Sequence, residues 1–160
     1  MMNTTFSLEV SFGQIAVFGS KMDRPFNDWT QRHVAQGFAW RPGSVSFRSL
    51  LEAGTHSVEM IVTKRIGELS TDTVRAVEVP FAVPESGEVE IASISSSVTM
   101  KVPPGDYLLR CEFLDGCALG IEAIRLTFAR EEEPHFAIVR ADNDLTTQGE
   151  LLKTAQPAPG

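Results

Sequence analysis

Chemistry in this chain would have to come from few side chains: three histidines, two cysteines, twenty-one acids and scattered serines among 160 residues. His33, His56 and His135 lie far apart, and none falls in a His-Glu-x-x-His or Cys-x-x-Cys spacing that would gather ligands around a metal. Ser95-Ser96-Ser97 has no Gly-x-Ser-x-Gly elbow and no adjacent base to take a hydroxyl proton, so it reads as a turn between strands. The glycines are scattered among turns, and none stands between a strand and a helix as a phosphate cradle requires. The expectation is a protein that is not an enzyme, with no catalytic, cofactor-binding or metal-ligating residues and no cofactor.

Three acidic or aromatic features remain. Asp142-Asn143-Asp144 offers oxygens of the type Ca²⁺ takes, but the glycine and distant glutamate of an EF-hand loop are missing. Glu131-Glu132-Glu133-Pro134 crowds three like charges into a loop between strands, where they repel and stay solvated. Such a loop is a solubilising tip, or a site that steers a basic partner. Asp28-Trp29 begins a helical stretch, and Trp29 is either a lid over the core or an exposed aromatic anchor. Trp40, after Phe38, has the same two readings. Asp28, Trp29, Glu131, Glu132 and Glu133 are thus the candidate partner-binding residues.

The elements that must position them follow from periodicity, which is mostly two. Phe6, Leu8, Val10 and Phe12 alternate with Ser7, Glu9 and Ser11, the pattern of a strand with one wet face. After Gly13, Gln14–Phe18 pairs back as a hairpin. Further strands read Ser44–Ser49, His56–Lys64, Thr73–Val83, Glu88–Ile94, Val98–Val102, Asp106–Leu114, Ile121–Ala129 and His135–Ala141, about ten in all. His56 and His135 open two of these, where a surface position is ordinary. Turn clusters between the strands, Pro84-Glu85-Ser86-Gly87 and Pro103-Pro104-Gly105 among them, recur at about 8–15 residues and favour an all-β, antiparallel sandwich. Tyr107, Leu109, Cys111 and Phe113 would face its core, with Leu108 and Leu114 marking a central strand covered on both faces. One segment breaks the period: Asp28 to Gly37 opens on an N-cap residue, has Gln31 three positions on and ends on a C-cap glycine. It reads as one short helix on a long connection. Residues 1–142 form the sandwich domain, and 143–160, losing alternation and ending Gln156-Pro157-Ala158-Pro159-Gly160, a disordered, flexible tail.

The chain carries a formal net charge of -7 with 14 Lys and Arg against 21 Asp and Glu, which argues against direct binding to nucleic-acid phosphates. Residues 1–80 hold eight acids and eight bases, residues 81–160 thirteen acids and six bases, so the whole excess lies in the second half. Acidity of this kind aids solubility, or forms a negative face for a positive partner. Two cysteines, Cys111 and Cys117, are too few for a disulfide framework. No signal peptide and no apolar window of membrane-spanning length are evident, which makes the cytoplasm the expected compartment, without membrane insertion.

Ile15-Ala16-Val17-Phe18, Pro25, Asp28-Trp29-Thr30, Gly37-Phe38 and Gly43-Ser44-Val45-Ser46-Phe47 stand in an order and spacing that resemble the competence protein J family of bacterial DNA-entry nuclease inhibitors. Val79-Pro80-Phe81 and Pro104-Gly105-Asp106-Tyr107, running into Leu109 and Cys111, extend the resemblance over roughly Phe12 to Phe113. Phe38 departs from it, standing where the family has an aromatic hydroxyl residue. The resemblance implies a non-enzymatic, stoichiometric inhibitor of a nonspecific DNase, acting in competence during DNA uptake or as an immunity protein, with that DNase as partner. From the residues alone, a sandwich that binds carbohydrate, or a membrane through calcium, stands as the alternative.

Overall fold

The alternation resolves into eleven strands among the described residues: β1 (Met2–Val10), β2 (Gln14–Gly19), β3 (Phe38–Arg41), β4 (Ser44–Arg48), β5 (Gly54–Thr63), β6 (Thr73–Val83), β7 (Glu88–Ala92), β8 (Ser97–Lys101), β9 (Gly105–Leu114), β10 (Glu122–Ala129) and β11 (Ala137–Arg140). One short helix, α1 (Gln31–Gln36), interrupts them. This computed structural model describes residues 2–114, 122–131, 133–146 and 149–159; Cys117, Glu132 and the expected start of a strand at Ile121 lie outside them. The strands form a six-stranded sheet in the order β1-β5-β10-β9-β6-β11 and a five-stranded sheet in the order β3-β4-β2-β7-β8. Ile15, Val17, Phe47 and Ile91 of the smaller sheet share one hydrophobic cluster with Met60, Val79, Leu109 and Leu126 of the larger. Each such side chain contributes about 1.5–3 kcal/mol by leaving water.

The expected antiparallel pairing holds for every strand pair but one. β10 lies parallel to β5, from Glu122 opposite His56 to Ala129 opposite Thr63, so the larger sheet is mixed. The cause is a crossover. β9 is antiparallel to both β6 and β10, so β6 runs in the same direction as β5, and residues 64–72 must pass over the sheet to connect them. Arg110 and Glu112 hold this strap: Arg110 Nη1 donates to the Gly67 carbonyl at 2.8 Å, and Glu112 accepts from the Ser70 N–H at 3.5 Å and, where the strap enters β6, from Thr73 Oγ1 at 2.8 Å. Arg110 also pairs with Glu78 at 2.7 Å, and all three charged groups are buried. Alternation reports which face a side chain takes, and is silent on strand direction.

β9 is the central strand expected, between β10 and β6, with Tyr107, Leu109, Cys111 and Phe113 in the core and Leu108 buried on the opposite face. Tyr107 Oη donates to the Pro103 carbonyl at 2.7 Å, fixing the turn into the strand. Several boundaries differ from expectation. Four residues directly after the helix, Phe38–Arg41, are too few for a period to register, yet they pair with β4 across the Pro42–Gly43 turn. β1 starts at Met2 and stops at Val10, so Phe12 leaves the strand. The helix begins after Thr30 rather than Asp28. Its capping box joins Thr30 Oγ1 to the His33 N–H and His33 Nδ1 to the Thr30 N–H.

The disordered C-terminal tail expected from composition is not what the structure shows. Leu145 is buried against Gly37, where a Cβ would meet it at 2.9 Å and where φ is +89°. Gln36 donates to the Leu152 carbonyl and accepts from the Leu152 N–H, His33 Nε2 bonds the Thr154 carbonyl, and the Gln156 carbonyl accepts from the Asp28 N–H. The segment satisfies polar groups of the helix region, a gain invisible in its own composition.

One cation closes the core. Alternation along β6 puts Arg75, opposite Phe113, on the same face as the core residues Val77 and Val79, and it is fully buried. Its guanidinium donates to both oxygens of Asp142, at 3.1 and 2.9 Å, and to the Arg48 carbonyl at 2.6 Å, and lies 5.6 Å from the Phe113 ring centre. Asp142→Ala leaves this buried charge uncompensated and is expected to lower unfolding stability by about 3 kcal/mol in a urea titration. Asp144→Ala, whose exposed carboxylate is 3.9 Å away, is expected to change it by less than about 0.5 kcal/mol.

Candidate partner-binding surface

The expected pairing of β2 back onto β1 as a hairpin does not form: β1 and β2 belong to different sheets, and a single bridge between Ser11 and Gln14 closes the connection between them, leaving Phe12 and Gly13 as a two-residue turn. Both have positive φ, +56° and +66°, as a primed turn demands. Glycine meets that demand freely. Phe12 does not, since an L-residue in this region sits about 1–2 kcal/mol above its right-handed conformation. The backbone holds it there: the Gly13 N–H donates to the Glu52 carbonyl at 2.7 Å, and the Gly13 carbonyl accepts from the Ser49 N–H at 2.9 Å. The Phe12 ring is 71% exposed, so no burial offsets the strain.

Phe12 borders an open depression of about 420 Å³ with Trp29, Val34, Arg48, Leu51 and Glu52 on its walls. Trp29 is half-buried, donates its indole N–H to Gln14 Oε1 at 3.2 Å and meets the His33 ring edge-on at 6.4 Å. Among the described residues five large apolar side chains are exposed, and three of them, Phe12, Val34 and Leu51, line this one depression. Arg48, the cation on the wall, spends one nitrogen on the carbonyls of Val34 and Asp144, at 3.2 and 3.0 Å. Glu52, on the same wall, is exposed, as are Asp28, next to Trp29, and Asp144.

The residues singled out from sequence are not brought together. Asp28 and Trp29 belong to this end of the molecule. Glu131 and Glu133 lie beyond the other end of β5 and β10, in a depression they share with Lys64, Arg65 and Arg130. Glu132 is outside the described residues. Trp40 is a lid: it packs edge-on against Phe136 at 5.0 Å and donates to the Pro80 carbonyl at 2.7 Å. His33 is buried, with its ring nitrogens bonded to the Thr30 N–H and the Thr154 carbonyl. His56, expected at the surface, is fully buried, with Nδ1 bonded to the Gly54 carbonyl. His135 is more than half exposed and bonds Glu78 at 2.8 Å. The Asp142 carboxylate faces Arg75 rather than an open calcium site, and no group of three or more metal-ligating side chains occurs among the described residues. Burial pushes the Cys111 thiol well above its usual range, with Glu112 raising it further, so it packs as an inert hydrophobe. No described helix is long and apolar enough to cross a membrane.

Phe12 and Leu51 escaped the sequence reading. The signal for Phe12 was available: a Phe-Gly pair where a two-residue hairpin turn normally carries Asn-Gly. Counted as the last beat of an alternating strand, it was hidden. Leu51 sits in a loop with no period at all.

Two packed sheets with a solvent-facing apolar patch around Phe12 and Trp29 present a candidate partner-binding surface. A profile of the competence protein J (ComJ) family matches residues 7–129. The chain belongs to the competence protein J family, one of non-catalytic nuclease inhibitors. It is 32% identical over 109 residues to the DNA-entry nuclease inhibitor of Bacillus subtilis (strain 168), covering 65% of this chain and 76% of that one. The crystal structure of ComJ from Bacillus subtilis, inhibitor of the DNA degrading activity of NucA, superposes with a TM-score of 0.68 at 24% identity, covering 81% of this chain and 98% of that one. A protein named for crocagin biosynthetic gene J superposes with a TM-score of 0.57 at 17% identity, over 82% and 100% of the two chains. At these identities the structural likeness speaks for the fold.

Proposed function

We propose that this chain binds a DNase of the DNA-entry nuclease type stoichiometrically and blocks its access to DNA, acting in the cytoplasm in competence or as an immunity protein. The observation that carries the reading is the family membership, which spans residues 7–129 and includes a relative known as a DNA-entry nuclease inhibitor. The physical chemistry is coherent with it. A nuclease holds phosphates on a basic surface, and a protein of net charge -7 competes for that surface without carrying DNA-binding chemistry of its own.

Within this reading Asp28 and Trp29 contribute to the contact, and Glu131, Glu132 and Glu133 steer the encounter. Trp29 lies near one end of the ten-residue strand β5 and Glu131 and Glu133 beyond the other, a strand length of about 30 Å at roughly 3.3 Å per residue. The loop therefore acts through the long-range field, which reaches that far at about 0.01 M salt and is screened within about 8 Å at physiological ionic strength.

Two outcomes are expected. Added at one equivalent, the chain stops plasmid digestion by the DNA-entry-type nuclease encoded in the same genome; undiminished digestion contradicts the reading. Glu131→Gln, Glu132→Gln and Glu133→Gln combined lower the association rate at about 0.01 M salt and leave the dissociation rate unchanged in stopped-flow and surface-binding measurements.

A further inference from the structure

We infer that the Phe12–Gly13 turn, with Trp29, Val34 and Leu51, is the anchor that seats on the phosphate-binding face of the nuclease; this rests on the inhibitor reading above. Four observations carry it. The turn keeps an aromatic residue at φ +56°, a position where asparagine or glycine would relax the backbone. In the free molecule that aromatic ring is 71% exposed, so the fold gains little from it. Strain held at a solvent-facing residue by its surroundings is characteristic of contact sites. Exposed apolar side chains also concentrate here, while the other two, Ile94 and Val139, do not border the depression.

The fourth observation selects the occupant. The apolar centre carries exposed acids, Glu52 on its wall and Asp28 beside Trp29, with Asp144 tied to Arg48 through its carbonyl. The one cation on the wall is Arg48, and its Nη1 already serves two backbone carbonyls. An apolar centre with an acidic rim complements a protein surface that carries lysine and arginine for phosphate, where the ring and leucine exclude water and the acids pair with the rim cations. A nuclease presents such a surface, and DNA would compete for it directly. A partner centred on Phe12, with an interface of standard size about 30 Å across, leaves the Glu131–Glu133 loop outside the contact.

The test measures affinity for the nuclease encoded in the same genome and thermal stability side by side. Phe12→Gly is expected to raise the unfolding midpoint by about 3 °C, because it relieves the turn, while weakening binding at least about 30-fold. Leu51→Ser weakens binding about 10-fold at unchanged stability, and Ile94→Ser and Val139→Ser leave it within about twofold. A short DNA duplex competes with the wild-type chain for the nuclease. The inference is overturned if wild type binds tightly and both Phe12→Gly and Leu51→Ser bind equally well, or if DNA does not compete. Absence of any binding by the folded wild-type chain overturns the inhibitor reading itself, and the anchor with it.

Discussion

A fully buried guanidinium organises this molecule. Arg75 is buried between a strand of one sheet and the end of β4 in the other, where an uncompensated charge would cost several kcal/mol. Its partners come from three distant parts of the chain: the end of β4 through the Arg48 carbonyl, the C-terminal segment through Asp142, and β9 through the Phe113 ring. Satisfying one cation therefore fixes the spacing of the sheets and the entry of the C-terminal segment at the same time. Arg48, held by its carbonyl, then reaches Val34 of the helix and Asp144 with its own side chain. The depression beside Phe12 is built on that chain of contacts, so its shape depends on an ion pair behind it.

How the acidity is distributed follows the same logic. The excess of acids in residues 81–160 suggested a negative face. In the fold, Glu112 serves the strap, Asp142 serves Arg75, and Glu88 pairs with Lys101 at 2.8 Å. In the first half, Glu59 is held below the usual carboxylate range, chiefly by its hydrogen bond from Arg125 and then by Asn3. Part of the charge is thus spent within the molecule. What faces outward around Trp29 is a few acids bordering apolar side chains, a surface in which aromatic burial supplies affinity and charge supplies complementarity.

The fold was legible where a single physical rule decided it. Alternation located ten of the strands because each has one face in a shared core, and Gly37 marked the helix end because only a residue free at positive φ could stop there. Direction was not legible, since a parallel β5–β10 pair and an antiparallel one share the same alternation. Nor was the C-terminal segment, whose hydrogen bonds to Gln36 and His33 satisfy another element's groups. The site was half legible. Trp29 declared itself by residue type, whereas Phe12 continued an alternating pattern, and its exposure is decided by a two-residue turn that the pattern cannot see.

The central claim, that binding is centred on the β1–β2 turn, is tested most directly by amide hydrogen exchange of the chain alone and with one equivalent of the nuclease. The account predicts slowed exchange at Ser11 to Gln14, around Trp29 and Val34, and at Ser49 to Glu52, with little change at Arg130 to His135. Slowing centred on Arg130 to His135, with the Phe12 turn exchanging as freely as before, would contradict it.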